Sequence, residues 1–390
     1  MKIDYLSTTM HKLLKPPFIF GLIFSILSCS QQHDKKEFTL EKIELKYAKG
    51  FQLFKGNGFW EIEVSQPWTG AEKSFRYLIL EKGEEKPTGD FDAEIQLPVS
   101  KIVVTSTTHI PHLDMLNSSD KLIGFPDTDL ISSKKTRALV DAGKVMDLGS
   151  GPSANPEMTI DTDAEWVMIS TLGDDIRYLD LLKNAGVNPV INGEYVEQHP
   201  LGRAEWIKFT GVLLGNFEKA SEIFEEVEND YFEAVNLTEN IPDDKRPSVL
   251  SGVMYQDIWY APGADSWGAK ILQNAGGNYI FNDQKGSGSL QLNYEFVLDR
   301  AIDSEVWIGS SDFPSIKQMG EMEPRYIAFK AFKNGNIYSY TQKKGPTGGL
   351  EYFELGYMRP DLILKDLIKI LHPDLIPGYE LYFYQQLDEK

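Results

Sequence analysis

The chain has 390 residues, of which 42% are hydrophobic and 25% charged, so it is long and apolar enough to bury a sizeable core. Its formal net charge of −19, with no run of Lys and Arg longer than two, argues against a nucleic-acid-binding protein. The single cysteine excludes an intramolecular disulfide and a cysteine-based zinc site.

Residues 1–28 predict an export signal. Two lysines precede an apolar run over 16–27, which is shorter than the roughly 20 residues of a transmembrane helix. The run ends in Ile26-Leu27-Ser28-Cys29, which resembles a bacterial lipobox. We therefore expect a lipid anchor at Cys29, a tether over 29–39 and a place in the bacterial cell envelope, facing the periplasm. The alternative is a simple signal peptide followed by a buried free cysteine.

Residues 40–96 predict a small β extension. Apolar and polar side chains alternate over 59–64 and 75–80, and this period of two is typical of half-buried strands. Turn residues such as those over 67–70 separate these stretches. We interpret the segment as a short meander or sheet extension and not as a whole domain.

From residue 97 onward, continuous apolar strands alternate with helices in two series, over 97–215 and 241–390. Strands of this kind are typical of parallel sheets covered on both faces. Between the two series, apolar residues at helical spacing over 217–237 predict one helix about 30 Å long. The predicted fold class is α/β, with two Rossmann-like lobes joined by a backbone helix over 216–240.

Several stretches together resemble one known family. They are the strand 102–105 with Ser106-Thr107-Thr108-His109, the long helix, and residues 200–209, 259–266, 275–279 and 359–367. They resemble the helical-backbone class of periplasmic substrate-binding proteins, the binding components of ABC importers for iron-siderophores, haem and cobalamin. The resemblance covers about residues 98–385 and leaves the β extension outside. It implies that a metal chelate is captured between the lobes and delivered to an inner-membrane permease.

The cleft of an open α/β sheet lies at the carboxyl ends of its strands, and the resemblance implies ligand-binding residues there. Lobe one offers hydroxyl groups, main-chain N–H groups and a histidine in two loops: Thr105, Ser106, Thr107, Thr108, His109, Ser170 and Thr171. Arg203 could clamp a carboxylate of the ligand. The alternative for Arg203 is a structural ion pair with Glu205 or Glu197.

Lobe two offers the aromatic rings of Tyr255, Trp259 and Tyr260, because large flat chelates bury area against such rings. The alternative is that Trp259 and Tyr260 pack in the core of the lobe.

In this family one acidic residue from each lobe meets the permease. We expect Asp174 or Asp175 in lobe one and Glu295 in lobe two to do so.

An iron-siderophore complex is the predicted ligand, because the loops over 149–151, 170–171 and 286–289 lack the rings that cobalamin-binding relatives place beside the corrin. Cobalamin and haem are the alternatives, haem with His109 or Tyr255 as its axial ligand.

Two further classes of protein stay open. One is a zinc-binding transport protein that uses His109, His112 and His199 with an acidic residue. The other is a surface lipoprotein without a transport role. No Gly-x-Ser-x-Gly, Walker-type or His-Glu-x-x-His sequence is present, so we expect no enzyme and no cofactor. We expect a monomer.

Overall fold

A five-stranded sheet forms the N-terminal part of the computed structural model, which describes residues 39–150, 154–170, 173 and 176–389. Its strands are β1 (Glu41–Ile43), β2 (Phe51–Lys55), β3 (Phe59–Val64), β4 (Phe75–Leu80) and β5 (Ala93–Gln96). They lie in the order β1-β2-β3-β4-β5, antiparallel except that β5 runs parallel to β4. Alternation along β2 and β3 buries Phe51, Leu53 and Ile62 on one face of the sheet.

Lobe one is built on a parallel sheet in the order β10-β9-β6-β7-β8. Its strands are β6 (Ile102–Val104), β7 (Leu122–Phe125), β8 (Met146–Asp147), β9 (Trp166–Ile169) and β10 (Pro189–Ile191). The helices between them are α1 (Ile110–Met115), α2 (Lys134–Asp141), α3 (Pro156–Asp161) and α4 (Arg177–Asn184). The three residues of β6 are fully buried, as expected for a strand covered on both faces.

Three helices lead from lobe one to lobe two: α5 (Pro200–Glu205), α6 (Ile207–Leu213) and α7 (Phe217–Thr238). The 22 residues of α7 span roughly 33 Å at the ordinary helical rise. Ala220, Phe224 and Tyr231 lie on its buried face, at the spacing that the sequence predicts. No helix of the described residues combines the length and the hydropathy needed to cross a bilayer.

Lobe two holds two sheets. Its strands are β11 (Ser248–Ser251), β12 (Val253–Tyr255), β13 (Ile258–Pro262), β14 (Asn278–Tyr279), β15 (Ser289–Asn293), β16 (Val306–Ile308), β17 (Ile337–Ser339) and β18 (Gln385–Gln386). The larger sheet has the order β14-β11-β16-β17-β18 and is parallel except at β18; the smaller, antiparallel sheet has the order β12-β13-β15. The helices are α8 (Trp267–Asn274), α9 (Tyr294–Ala301), α10 (Ile316–Met322), α11 (Lys330–Lys333), α12 (Glu351–Glu354) and α13 (Pro360–Leu371).

Two hydrophobic cores support this arrangement. One core is shared by the N-terminal sheet and lobe one, where Phe51 of β2 packs against Trp206 with ring centroids 4.4 Å apart. The other joins lobe two to the buried face of α7. The N-terminal sheet therefore packs as part of lobe one.

The lobes also touch through residues 344–354 of lobe two, here called the interlobe strap. The Glu354 carboxylate accepts hydrogen bonds from the main-chain N–H groups of Ser132 and Ser133, at 2.8 Å each. The Thr347 hydroxyl donates to a main-chain carbonyl of lobe one, at 2.6 Å. Burial raises the pKa of Glu354 to about 7, and the nearby Asp114 acts in the same direction.

Candidate ligand-binding site

A cavity of about 690 Å³ lies between the lobes. Lobe one contributes Tyr195, Val196 and Arg203 to its wall. Lobe two contributes the carboxyl ends of β11 and β16 at Ser251 and Ile308, as an open α/β sheet requires. The volume is within the range of sites for small molecules and cofactors.

Arg203 on α5 places a cation in this wall. Its guanidinium carbon lies 5.0 Å from the ring centroid of Trp267 and 4.6 Å from that of Tyr357, both in lobe two. Nη2 donates to the carbonyl of Tyr195 at 2.7 Å. Cation–π contacts of this kind hold a desolvated guanidinium without neutralising its charge.

The alternative ion pair of Arg203 is wrong. The Glu197 carboxylate accepts from the main-chain N–H groups of Lys49 and Gly50 and from the Trp206 indole. The Glu205 carboxylate accepts from main-chain N–H groups of the N-terminal sheet and from the Lys208 ammonium. Among the described residues no carboxylate forms an ion pair with Arg203, although its charge is one of the causes that lower the pKa of the buried Glu194.

Aromatic side chains form much of the cavity wall: Tyr195, Tyr260, Trp267, Tyr340, Tyr352, Phe353, Tyr357 and Tyr384. Burial raises the pKa of the Tyr340, Tyr352, Tyr357 and Tyr384 phenols, so they are neutral at physiological pH. The absence of rings in the three loops therefore does not extend to the cavity as a whole. The sequence argument considered three loops, whereas the rings come from other segments.

Trp259 does not line the cavity, and that prediction is wrong. The side chain is fully buried, and its indole N–H donates to the Ser251 carbonyl at 3.1 Å. It packs against Trp307 with ring centroids 5.2 Å apart. Strand alternation in β13 turns Trp259 into the core of lobe two and turns its neighbour Tyr260 to the cavity.

Tyr255 also lies outside the cavity wall. It is the last residue of β12, at the tip of the hairpin formed with β13, and it is 64% exposed. Contact of Tyr255 with the ligand, directly or as an axial ligand of haem, stays a prediction.

The predicted loop residues of lobe one do not reach the cavity either. The Thr105 hydroxyl accepts from the main-chain N–H of Ser170, and the Thr108 hydroxyl donates to Glu194 at 2.6 Å. His109 is fully buried, with Nε2 3.8 Å from a carboxylate oxygen of Glu194. The turn that holds these residues, with Ser106 as its N-cap and Thr107 as its first residue, packs against α12 of lobe two. This contact lies over the turn, in which His109 is fully buried and Thr107 and Thr108 are half-buried.

The three histidines of the zinc alternative do not converge. The His112 ring is 2.9 Å from the Thr210 hydroxyl, and burial lowers the pKa of His112 to about 3. His199 caps α5 and stacks on Tyr47 with centroids 4.8 Å apart. Within the described part of the chain, no group of three His, Cys, Asp or Glu residues could hold a metal ion.

The remaining predicted sites divide into two sets. Glu295 is exposed in the first turn of α9, where it stays a prediction for permease docking. The export signal, Cys29, Thr171, Asp174 and Asp175 lie outside the described residues.

The structure adds cavity residues that sequence reasoning missed. Trp267 begins α8 directly after the Ser266 N-cap and lines the cavity. Tyr357 gave no local signal, because it reaches Arg203 only through the contact of the lobes. Thr69 belongs to the N-terminal sheet and lines the same cavity. Its turn sequence predicts a loop but not where that loop lies.

Two α/β lobes, a long connecting helix and a cavity at the strand ends define a solute-binding protein fold. Residues 102–343 match the family model described as periplasmic binding protein, and the chain belongs to that family. The match begins after the N-terminal sheet, so that sheet lies outside it.

Solved structures share this fold. A periplasmic haem-binding protein of Pseudomonas aeruginosa superposes with a TM-score of 0.57 and 16% identity, over 75% of this chain and 99% of that chain. CeuE of Helicobacter pylori, with Ni(II) bound, gives a TM-score of 0.55 and 18% identity, over 73% and 88% of the two chains. An uncharacterized lipoprotein of Methanocaldococcus jannaschii is 28% identical over 364 residues, covering 87% of this chain and 84% of its own.

Proposed function

We propose that this protein is the substrate-binding component of an ABC importer and that it captures an anionic metal chelate between its lobes. The observation that carries the proposal is Arg203, a cation without a carboxylate partner among the described residues, held between Trp267 and Tyr357 in the cavity wall. A desolvated charge is costly to leave unpaired, so the site favours an anion beside it.

The other walls narrow the class of ligand. Rings from several segments of lobe two surround the cavity, and each can bury roughly 150–250 Å² against a flat or ring-bearing molecule. A ferric siderophore complex of the catecholate type, which is anionic and aromatic, fits this combination and is our first candidate.

Haem is a second candidate, because its flat macrocycle suits the aromatic walls and its propionates suit Arg203. The phenols of Tyr260 and Tyr357 in the wall are candidate axial ligands in place of the buried His109. The haem-binding protein of Pseudomonas aeruginosa, which shares the fold, supports this candidate.

Delivery to a permease and attachment to a membrane complete the proposed role. The relatives from Methanocaldococcus jannaschii that are named as lipoproteins support an anchor at Cys29. Permease docking through Glu295 and through Asp174 or Asp175 is the corresponding proposal for the partner surface. In this role the ligand is carried unchanged.

The test is a binding screen of the purified full chain by thermal shift and tryptophan fluorescence. The panel holds ferric hydroxamate and catecholate siderophores, ferric citrate, haemin, cyanocobalamin and zinc. A ligand at 100 times its Kd stabilises the protein by about 2.7 kcal/mol. Quenching should come chiefly from Trp267, which lines the cavity.

Arg203→Gln should weaken binding of the anionic chelate by about 10- to 100-fold, as expected for a charge-assisted hydrogen bond worth about 1.5–3 kcal/mol. Arg300→Gln is the matched control, because that arginine pairs with Asp283 on the exposed surface of lobe two. Unchanged affinity in Arg203→Gln, or a wild-type chain that binds nothing in the panel, would refute the proposal.

A further inference from the structure

The N-terminal sheet lies outside the family match, yet its loop between β3 and β4 reaches the ligand cavity. Thr69, exposed at the tip of this loop, lines the 690 Å³ cavity together with Tyr195 and Arg203 of lobe one. The cavity wall therefore has three sources, the two lobes and the N-terminal sheet.

Contacts with lobe one hold the loop in this place. Gln66 packs directly on the main chain of Gly193, where an added Cβ would lie 2.6 Å from the Gln66 carbonyl oxygen. Next to it, the main-chain N–H of Ile191 donates to the Tyr77 hydroxyl of β4 at 3.0 Å. Both contacts lie where β10 ends, and the chain runs from there to Tyr195 in the cavity wall.

Thr69 also lines a second recess, of about 680 Å³, whose wall includes Trp68, Gly70, Glu72 and Lys73. The ammonium of Lys73 lies 4.5 Å from the ring centroid of Phe75 and has no carboxylate partner among the described residues. Thr69, Glu72 and Lys73 together offer hydroxyl, carboxylate and ammonium groups. This set binds polar groups that both donate and accept hydrogen bonds, such as amides and hydroxyls.

We infer that the loop of residues 66–73 forms an outer subsite, which receives a polar amide- or hydroxyl-bearing arm of the bound chelate and selects large chelates over small ones. The inference rests on the proposed function, since the metal-bearing core of the ligand would occupy the inner cavity beside Arg203. Thr69 stands where the inner cavity meets the outer subsite.

Thr69→Trp tests the inference, because it places a large side chain at a position that lines both the inner cavity and the outer subsite. Thr88→Trp is the matched control: Thr88 is exposed on the loop between β4 and β5 of the same sheet and lines neither cavity. Lys73→Glu reverses a charge in the outer subsite without adding volume. Lys42→Glu on β1 is its control, because it makes the same change of charge outside the subsite. Melting curves establish that each full-chain variant is folded.

Each protein is titrated with a linear ferric tricatecholate, an anionic complex that carries amide arms, and with ferric citrate, which carries none. We expect Thr69→Trp to weaken binding of the tricatecholate by at least about tenfold, a typical cost of overfilling a site, and to weaken binding of ferric citrate by a smaller factor, because Thr69 also lines the inner cavity. Lys73 does not line the inner cavity, so Lys73→Glu should weaken binding of the tricatecholate and change binding of ferric citrate by less than about twofold. Thr88→Trp should match the wild-type chain with both.

Equal affinities of Thr69→Trp and Thr88→Trp for the tricatecholate would overturn the inference, as would an equal loss of affinity for both chelates in Lys73→Glu. A wild-type chain that binds ferric citrate but not the tricatecholate would also overturn the inference, while leaving the proposed function standing. A wild-type chain that binds no chelate of the wider panel refutes the proposed function, and the outer subsite falls with it.

Discussion

Glu354 of the interlobe strap should make the stability of this protein depend on pH. Its carboxylate accepts two main-chain hydrogen bonds from lobe one in a buried position, and burial raises its pKa from 4.5 to about 7. Because the folded state binds the proton more tightly than the unfolded state does, the stabilisation is fully present below pH 4.5. It is lost as the pH rises through 7.

The size of the effect follows from the two pKa values. The difference between 4.5 and about 7 corresponds to about 3 kcal/mol, of which about 2.5 kcal/mol falls between pH 5 and 8. Glu354→Gln keeps a carbonyl acceptor but cannot titrate. The free energy of unfolding should be measured with urea at pH 5 and at pH 8. Between these pH values it should fall by about 2.5 kcal/mol more in the wild-type chain than in the variant.

Glu226→Gln is the control, because Glu226 is exposed on α7 and should leave the pH dependence of the wild-type chain unchanged. The same slope of unfolding free energy against pH in the wild-type chain and in Glu354→Gln would show that this carboxyl group titrates at its ordinary value. The argument from burial would then be refuted.

Three further substitutions separate core, cavity and anchoring roles. Trp259→Ala should lower the free energy of unfolding by about 3–5 kcal/mol and leave the Kd unchanged, because it empties a buried site. Tyr260→Ala should weaken ligand binding by about tenfold and lower the free energy of unfolding by under about 1 kcal/mol, because the Tyr260 ring faces the cavity. Ligand titration and urea unfolding measure the two effects. Glu205→Ala should cost about 3–5 kcal/mol in urea unfolding, since it leaves the Lys208 ammonium and three main-chain N–H groups without their acceptor; no loss would contradict that anchoring role.

The lobes could be predicted because their signals are local. A fully apolar strand such as β6 has the composition of a strand buried on both faces, and α7 repeats its apolar residues at the helical period over its whole length. Neither signal requires knowledge of distant contacts. The fold class follows from the order of such elements along the chain.

The smaller sheet of lobe two was not predicted, and this explains the error at Trp259. The strand β11 ends at Ser251 and β12 begins at Val253, so one short stretch of chain contributes to both sheets. Gly252 separates them with a φ of +94°, and a Cβ there would lie 2.0 Å from the Tyr260 carbonyl oxygen. Without β12 as its neighbour, β13 could not be recognised as a strand with one face in the core.

The lobe-one loop was mispredicted for a different reason. Its place after the carboxyl end of β6 is what the topology of an open sheet leads one to expect of a binding loop. Which of several such loops stays open to a ligand depends on how the second lobe closes. Here α12 covers the turn over 107–109 and the strap is fastened beside it through Glu354. Contacts between residues more than 200 positions apart decide this, and no local pattern encodes them.

The N-terminal sheet is fixed to the rest of the protein by three acidic residues, and this bears on how the cavity binds. Glu197 precedes α5, and Glu205 is the last residue of α5. Their carboxylates accept hydrogen bonds from the main-chain N–H groups of residues 46–50. Glu228 of α7 accepts from the Tyr47 hydroxyl at 2.7 Å and pairs with the Lys46 ammonium. Charge-assisted hydrogen bonds from main-chain N–H groups to carboxylates restrict the conformation of the segment that donates them. The wall that this sheet gives to the cavity is therefore formed before a ligand arrives, and a preformed wall lowers the ordering cost of binding.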